Sequence, residues 1–143
     1  MSSAVAAYTF DQLVPGQVVA FEHTITEAEI DAFSALSGDI SPLHISDEFA
    51  HDLGFPGRVA HGALMTALVS RLFGVHLPGR YCLVQSLAMT YLVPVHAGDR
   101  LELSARVKQL SEAVRSFSAD VGVIRLADDV LVARGKAQIG FTA

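Results

Sequence analysis

Cysteine is nearly absent from this sequence: 143 residues carry one, Cys82. A lone cysteine cannot close an internal disulfide, and its apolar neighbours Tyr81, Leu83 and Val84 predict a buried, inert thiol. One cysteine and a few scattered histidines do not make a zinc cluster, so neither metal nor cofactor is expected. Basic runs are missing too. Ten Lys and Arg against 15 Asp and Glu give a net charge of −5, which argues against a surface that tracks nucleic-acid phosphates. The first ten residues lack the charged-then-apolar order of a signal peptide. No apolar run approaches the ~20 residues of a membrane span. A soluble, cytoplasmic protein with no membrane partner is the expectation.

Charged residues of all kinds are scarce at 17%, whereas hydrophobic ones reach 51%. That balance suggests a surface partly buried against a second subunit. The length suits one domain, residues 1–143, and a domain of this size buries roughly 68–70% of its unfolded surface.

Periodicity and punctuation order the elements. A short strand is expected over residues 14–21, entered through Pro15-Gly16. Thr26 and Glu29 form a capping box, flanked by Ile25 and Ile30 as a hydrophobic staple. Ile30, Phe33 and Leu36 then share one helical face, and Gly38 stops the helix. Ser46 caps a second short helix with Asp47 and Glu48 in its first turn. Between the two helices, residues 38–44 read as a polar loop containing Pro42. Residues 61–73 form a helix apolar nearly all round, hence buried, ended by Gly74. Afterwards the period changes to two. Residues 83–95, then Leu101 to Val107, Phe117 to Val123 and Leu131 to Phe141, read as four meandering antiparallel strands separated by turns at Gly98-Asp99, Ser111-Glu112 and Asp128-Asp129. The class is therefore α+β: a long buried central helix wrapped by a curved antiparallel sheet, the arrangement called the hotdog fold. A generic α+β sandwich is the plainer alternative.

Two stretches carry candidate chemistry. In Ser37-Gly38-Asp39-Ile40-Ser41-Pro42-Leu43-His44, a carboxylate and an imidazole stand five residues apart on a segment whose bending Pro42 limits. Such a pair, holding one water, can give and take the protons that adding water to a double bond requires. On spacing alone the plainer reading is favoured: Gly-Asp after a helix is often only a turn former, and a lone histidine among apolar residues is usually a core group. In Val59-Ala60-His61-Gly62-Ala63-Leu64, a glycine in the first helical turn leaves its backbone N–H unobstructed where the helix dipole is positive. It suits an oxygen gaining negative charge, or it only permits close packing.

The first stretch, followed by His61-Gly62, resembles the MaoC-like (R)-specific enoyl-CoA hydratases, whose signature runs Ser-Gly-Asp-x-Asn-Pro-x-His before a His-Gly at the central helix. The similarity extends from about Phe10 to Phe141, with Pro94, Gly98 and Asp99 included. This resemblance implies a hotdog homodimer that reversibly hydrates trans-2-enoyl thioesters, carried on coenzyme A or acyl carrier protein, to (R)-3-hydroxyacyl thioesters. It gives Asp39 and His44 the water-activating roles, Gly62 the amide toward the thioester oxygen, and Ser70 a place lining the pocket. Ser70 can instead bond its own helix backbone. Ser41 departs from the family's Asn and reaches less far. That departure leaves a non-catalytic thioester-binding protein as an alternative. A hotdog thioesterase is another, although residues 59–74 lack the acidic residue typical of that helix in such enzymes. Arg58, Arg71 and Arg80 are the nearest cations in sequence for a carrier's phosphates.

Overall fold

The computed structural model describes residues 4–143. Five strands, β1 (Val18–Thr24), β2 (Cys82–Tyr91), β3 (Arg100–Ser111), β4 (Ser116–Arg125) and β5 (Val130–Phe141), form one sheet in the order β1-β3-β4-β5-β2. Every pairing is antiparallel. Alternation builds the inner face: Leu101, Leu103, Ala105 and Val107 of β3 and Phe117, Ala119, Val121 and Val123 of β4 are all buried, while the intervening residues point outward. Register shifts at Val84/Ser86, Val107/Gln109 and Val123/Ile124 interrupt the ladders. Such bulges bend strands and increase twist, curving the sheet around its contents.

Only three of the four late strands meander. β2 pairs with β5, not with β3. β1 occupies the outer side of β3, so the edge left for β2 is that of β5. The chain then crosses back toward β3 through residues 92–99, anchored by the buried Val95 and by a bridge between Val59 and His96. The opening strand also starts later than its sequence suggests, at Val18, because Pro15 and Gly16 lie in the turn before it.

Four helices occupy the segments between β1 and β2: α1 (Glu27–Ser37), α2 (Pro42–Ile45), α3 (Asp47–Asp52) and α4 (Gly62–Arg71). The expected caps are present. Thr26 accepts from the Glu29 amide and receives the Glu29 side chain in return, Ser46 accepts from the Phe49 amide, and Ile25 and Ile30 are wholly buried. Gly38 closes α1 with a φ of 76°, the left-handed conformation that a residue with a Cβ resists. Leu36 does not share the buried face of α1. It is 85% exposed, and Ser34 faces inward beside Ile30 instead.

Residues 38–44 are not one loop, since Pro42 opens the single turn α2. At the first helical position proline loses no bond that a helix needs. Nor does Gly74 end the central helix. The chain passes through it in a π-helical segment, Leu72–His76, closed by the bond from the Leu77 amide to the Leu72 carbonyl.

Leu64, Met65, Val69, Leu72 and Phe73 pack against the inner face of the sheet as the core. The opposite flank of α4, with Ala63, Ala67 and Ser70, is exposed in the single chain, so burial is one-sided. Cys82 is half-buried, and burial pushes its thiol up to about 11. Among the described residues, no helix is long and apolar enough to cross a membrane.

Candidate active site

The site begins where α1 ends. Ser37 donates its hydroxyl to the Phe33 carbonyl and accepts from the Asp39 amide, which fixes the turn after Gly38. The Asp39 carboxylate then accepts from the Ser41 amide at 3.3 Å, an Asx turn that leads into α2. The Ser41 carbonyl accepts in turn from the His44 amide. Serine at this position therefore joins Asp39 to His44 through its backbone, and its side chain makes no capping bond.

Within α2, His44 donates from Nδ1 to the Val59 carbonyl at 2.6 Å. A carbonyl only accepts, so Nδ1 carries the proton and Nε2 presents a lone pair. That Nε2 lies 3.8 Å from Oδ2 of Asp39. The separation is too long for a direct hydrogen bond, but a water beside the two atoms can contact both at about 2.8 Å. The carboxylate is half exposed and the imidazole mostly covered.

Val59 fixes the next element as well. Its amide donates to the Leu43 carbonyl, and the following amide, of Ala60, donates to Val95. His61 then serves as N-cap of α4 with extended backbone angles, and Gly62 is the first helical residue. A Cβ at position 62 would come within 2.8 Å of the Tyr91 ring. That close approach requires glycine and leaves its backbone uncovered by any side chain of its own. Gly62 and His44 line one cavity of about 300 Å³, together with Leu43, Phe55, Met65 and Tyr91. Its wall is largely apolar, as an acyl chain needs.

The structure thus brings Asp39, His44 and Gly62 to one region. Ser41 takes part through its backbone; neither it nor Asp39 lines the cavity, which His44 and Gly62 do. Ser70 lies two turns beyond Gly62 on the exposed flank of α4, outside the cavity wall. Of the three arginines, Arg58 is held by Asp31 at 2.5 Å with Glu27 at 3.8 Å, Arg71 lies over the Phe21 ring and Arg80 by Tyr81. None lines the cavity. A larger hollow of about 540 Å³ beside Arg58 is walled by Glu27, Asp47, His51, His96 and Asp99, a polar lining poorly matched to an acyl group.

His61 is a further residue of the site, to which its place in the sequence assigns no role. Its ring is buried, its Nε2 is 3.1 Å from both the Ser34 hydroxyl and the Asp39 carbonyl, and it stacks on His44 with 3.8 Å between ring centroids. The signal was the His-Gly pair, of which only the glycine was given a role. Asp39, His44 and His61 each bring a ligating atom within 4.8 Å of the others. The stacked rings, however, set their in-plane lone pairs side by side instead of converging. Nδ1 of His44 and Nε2 of His61 are also spent on carbonyls. As arranged, the three do not fit a tetrahedral cation.

Residues 10–126 match the family model described as "MaoC like domain". The chain is 31% identical over 101 residues to an (R)-specific enoyl-CoA hydratase of Rhodospirillum rubrum, covering 71% of this chain and 70% of that one. It is 34% identical over 97 residues to an (R)-specific enoyl-CoA hydratase of Aeromonas caviae, covering 68% and 72% respectively. The fold superposes on that of an unliganded R-hydratase from Pseudomonas aeruginosa with a TM-score of 0.89 and 28% identity, over 96% of this chain and 87% of the other.

Proposed function

This chain belongs to the MaoC-like family of hydratases and dehydratases, and from that premise we propose that it is a hydro-lyase that reversibly converts trans-2-enoyl thioesters into (R)-3-hydroxyacyl thioesters. In this reading the acyl group occupies the cavity beside α4, and the thioester oxygen meets the Gly62 amide. A water between Asp39 and His44 attacks the β-carbon. As its oxygen bonds to that carbon, the π electrons shift toward the α-carbon and carbonyl, where the amide offsets the developing charge. One proton leaves the water for the pair, and one is returned to the α-carbon, so a whole water is added. The two groups act as a coupled unit.

The observation that carries the proposal is the tautomer of His44. With Nδ1–H spent on Val59, Nε2 is left 3.8 Å from the Asp39 carboxylate, and His44 itself lines an apolar cavity. This supports water activation over mere binding, because a binding pocket has no use for an oriented base. Ser70 remains part of the proposal as a pocket residue completed by a second copy of the chain, which would cover the exposed flank of α4.

We also propose that residues 1–143 act as one hotdog domain in a homodimer. The support is β2. It is an edge strand without a charged residue, and it exposes Leu83 and Val84. Unprotected apolar edges of this kind are normally covered.

The test is hydration of enoyl thioesters over a chain-length series, presented on coenzyme A and on acyl carrier protein, with the product's configuration determined. The expected result is (R)-3-hydroxyacyl product from one carrier series. Release of free thiol without hydration would replace the proposal with a thioesterase, and binding without any turnover would leave a thioester-binding protein.

A further inference from the structure

We infer that His61 is the positioning residue of the Asp39–His44 pair: its Nε2–H holds the Asp39 carbonyl in place while its ring backs the His44 imidazole. The inference rests on the hydratase reading above.

The argument starts from the Asp39 carbonyl, which can only accept. Nε2 of His61, 3.1 Å away, must therefore carry the proton, shared with the Ser34 hydroxyl at the same distance. Nδ1 is then a bare lone pair. It is buried and has no hydrogen-bond partner. An unpartnered buried polar atom is a cost that a purely structural residue would not retain. The ring already packs against Phe33, with centroids 4.8 Å apart, and phenylalanine would fill the same space without an orphaned nitrogen. What phenylalanine cannot supply is a donor to the backbone of Asp39.

The stacking on His44, 3.8 Å between centroids at an interplanar angle of 24°, gives the ring a second role, as the surface against which the His44 imidazole is held. When Nε2 of His44 takes a proton from water, Nδ1 is already protonated, so the ring becomes an imidazolium. A neutral ring beneath it accommodates that charge. The titratable groups against His61 are His44 from α2 and Asp39 from the turn before it, and α1 presents Ser34 and Phe33.

The test compares three variants with crotonyl-CoA as probe. Asparagine reaches about as far as Nδ1 and glutamine about as far as Nε2. His61→Asn should lower kcat on the order of 10²-fold through loss of alignment, with KM little changed. His61→Gln, which can still donate to the Asp39 carbonyl, should recover most of that loss. His61→Phe should fold and shift the pH profile of kcat/KM. A His61→Asn variant with wild-type kcat and an unshifted profile would overturn the inference. Should the variants not fold, imidazole nitrogen NMR of the wild-type protein decides. In the neutral ring the Nε2–H tautomer is expected at residue 61, and a Nδ1–H tautomer overturns the inference. Wild-type protein that hydrates no thioester would strike the functional reading instead, and the NMR result would still judge the tautomer.

Discussion

The Cα of Gly62 rests against the ring of Tyr91, so that a methyl group there would lie 2.8 Å from its Cε2. The tyrosine cannot swing away freely, because its hydroxyl bonds to Thr66 one turn further along the same helix. Gly62→Ala should therefore force the ring out, costing about 1–3 kcal/mol of stability as overpacking does and lowering turnover. Adding Tyr91→Ala should restore much of the stability. Denaturant midpoints over the four-member cycle check this. Additive effects of the two substitutions would show that the contact is not what restricts position 62.

Removing either half of the acid–base pair should stop the chemistry without unfolding the chain. Asp39 is half exposed, and His44, although its ring is mostly covered, lies on a single turn with no buried residue, so neither belongs to the apolar core. Asp39→Asn and His44→Ala are each expected to lower kcat by about 10²–10⁴-fold, and the double variant by little more than either alone, as groups that act together do. Steady-state hydration of crotonyl-CoA, with circular dichroism as a control for folding, gives the answer.

Acid should loosen the start of α1. Burial, the largest influence on Glu29, pushes its carboxyl up. Hydrogen bonds from the Thr26 backbone and side chain, together with His23, outweigh it and hold Glu29 below its usual 4.5. A carboxylate lowered on folding contributes stability that is fully present above the unfolded value and is lost as pH falls through the folded one. The contribution should thus persist at neutral pH and disappear below about pH 4.5. Glu29→Gln should be less stable than wild type at pH 7, with the gap narrowing toward pH 3. Thermal melts across that range measure it.

The helix start at Thr26 illustrates what could be read in advance. Capping chemistry is local, so Thr26, Glu29 and Gly38 announce α1 within a few residues. Strict alternation likewise announces β3 and β4. Three features were hidden because they depend on distant partners. Pro42 reads as a break until its position at the first turn of α2 is known. Gly74 reads as a stop until the Leu77 amide reaches back five residues to Leu72. Leu36 fits the helical period of the apolar face, yet that face turns toward Ser34 because a buried histidine 27 residues away needs its hydroxyl. Residue order alone left Asp39, His44 and Gly62 open between chemistry and plain structure, and only the family resemblance singled them out. Their separation, and the stacking of His61, required the fold.

Placing a charge on the bare edge should expose the assembly state. Val84 lies on β2 and is 40% exposed, so Val84→Lys is expected to discourage pairing along that edge while sparing the core. Light scattering after gel filtration should give a dimeric mass for the wild type and a monomeric mass for the variant. A wild-type monomer would remove the homodimer from the proposal.

One stretch of backbone has a wider consequence. Val59 holds the His44 ring by its carbonyl, and Gly62 follows only three residues later. If His44 accepts the proton and the Gly62 amide faces the oxygen, as proposed, the span between them is set by the covalent backbone from Val59 to Gly62, independent of how the greasy walls are upholstered. Phe55 and Leu92 line the cavity outside the packed core and can be exchanged for bulkier or slimmer neighbours without moving that backbone. A lineage built on this frame is free to change its taste in acyl tails while its chemistry stands still.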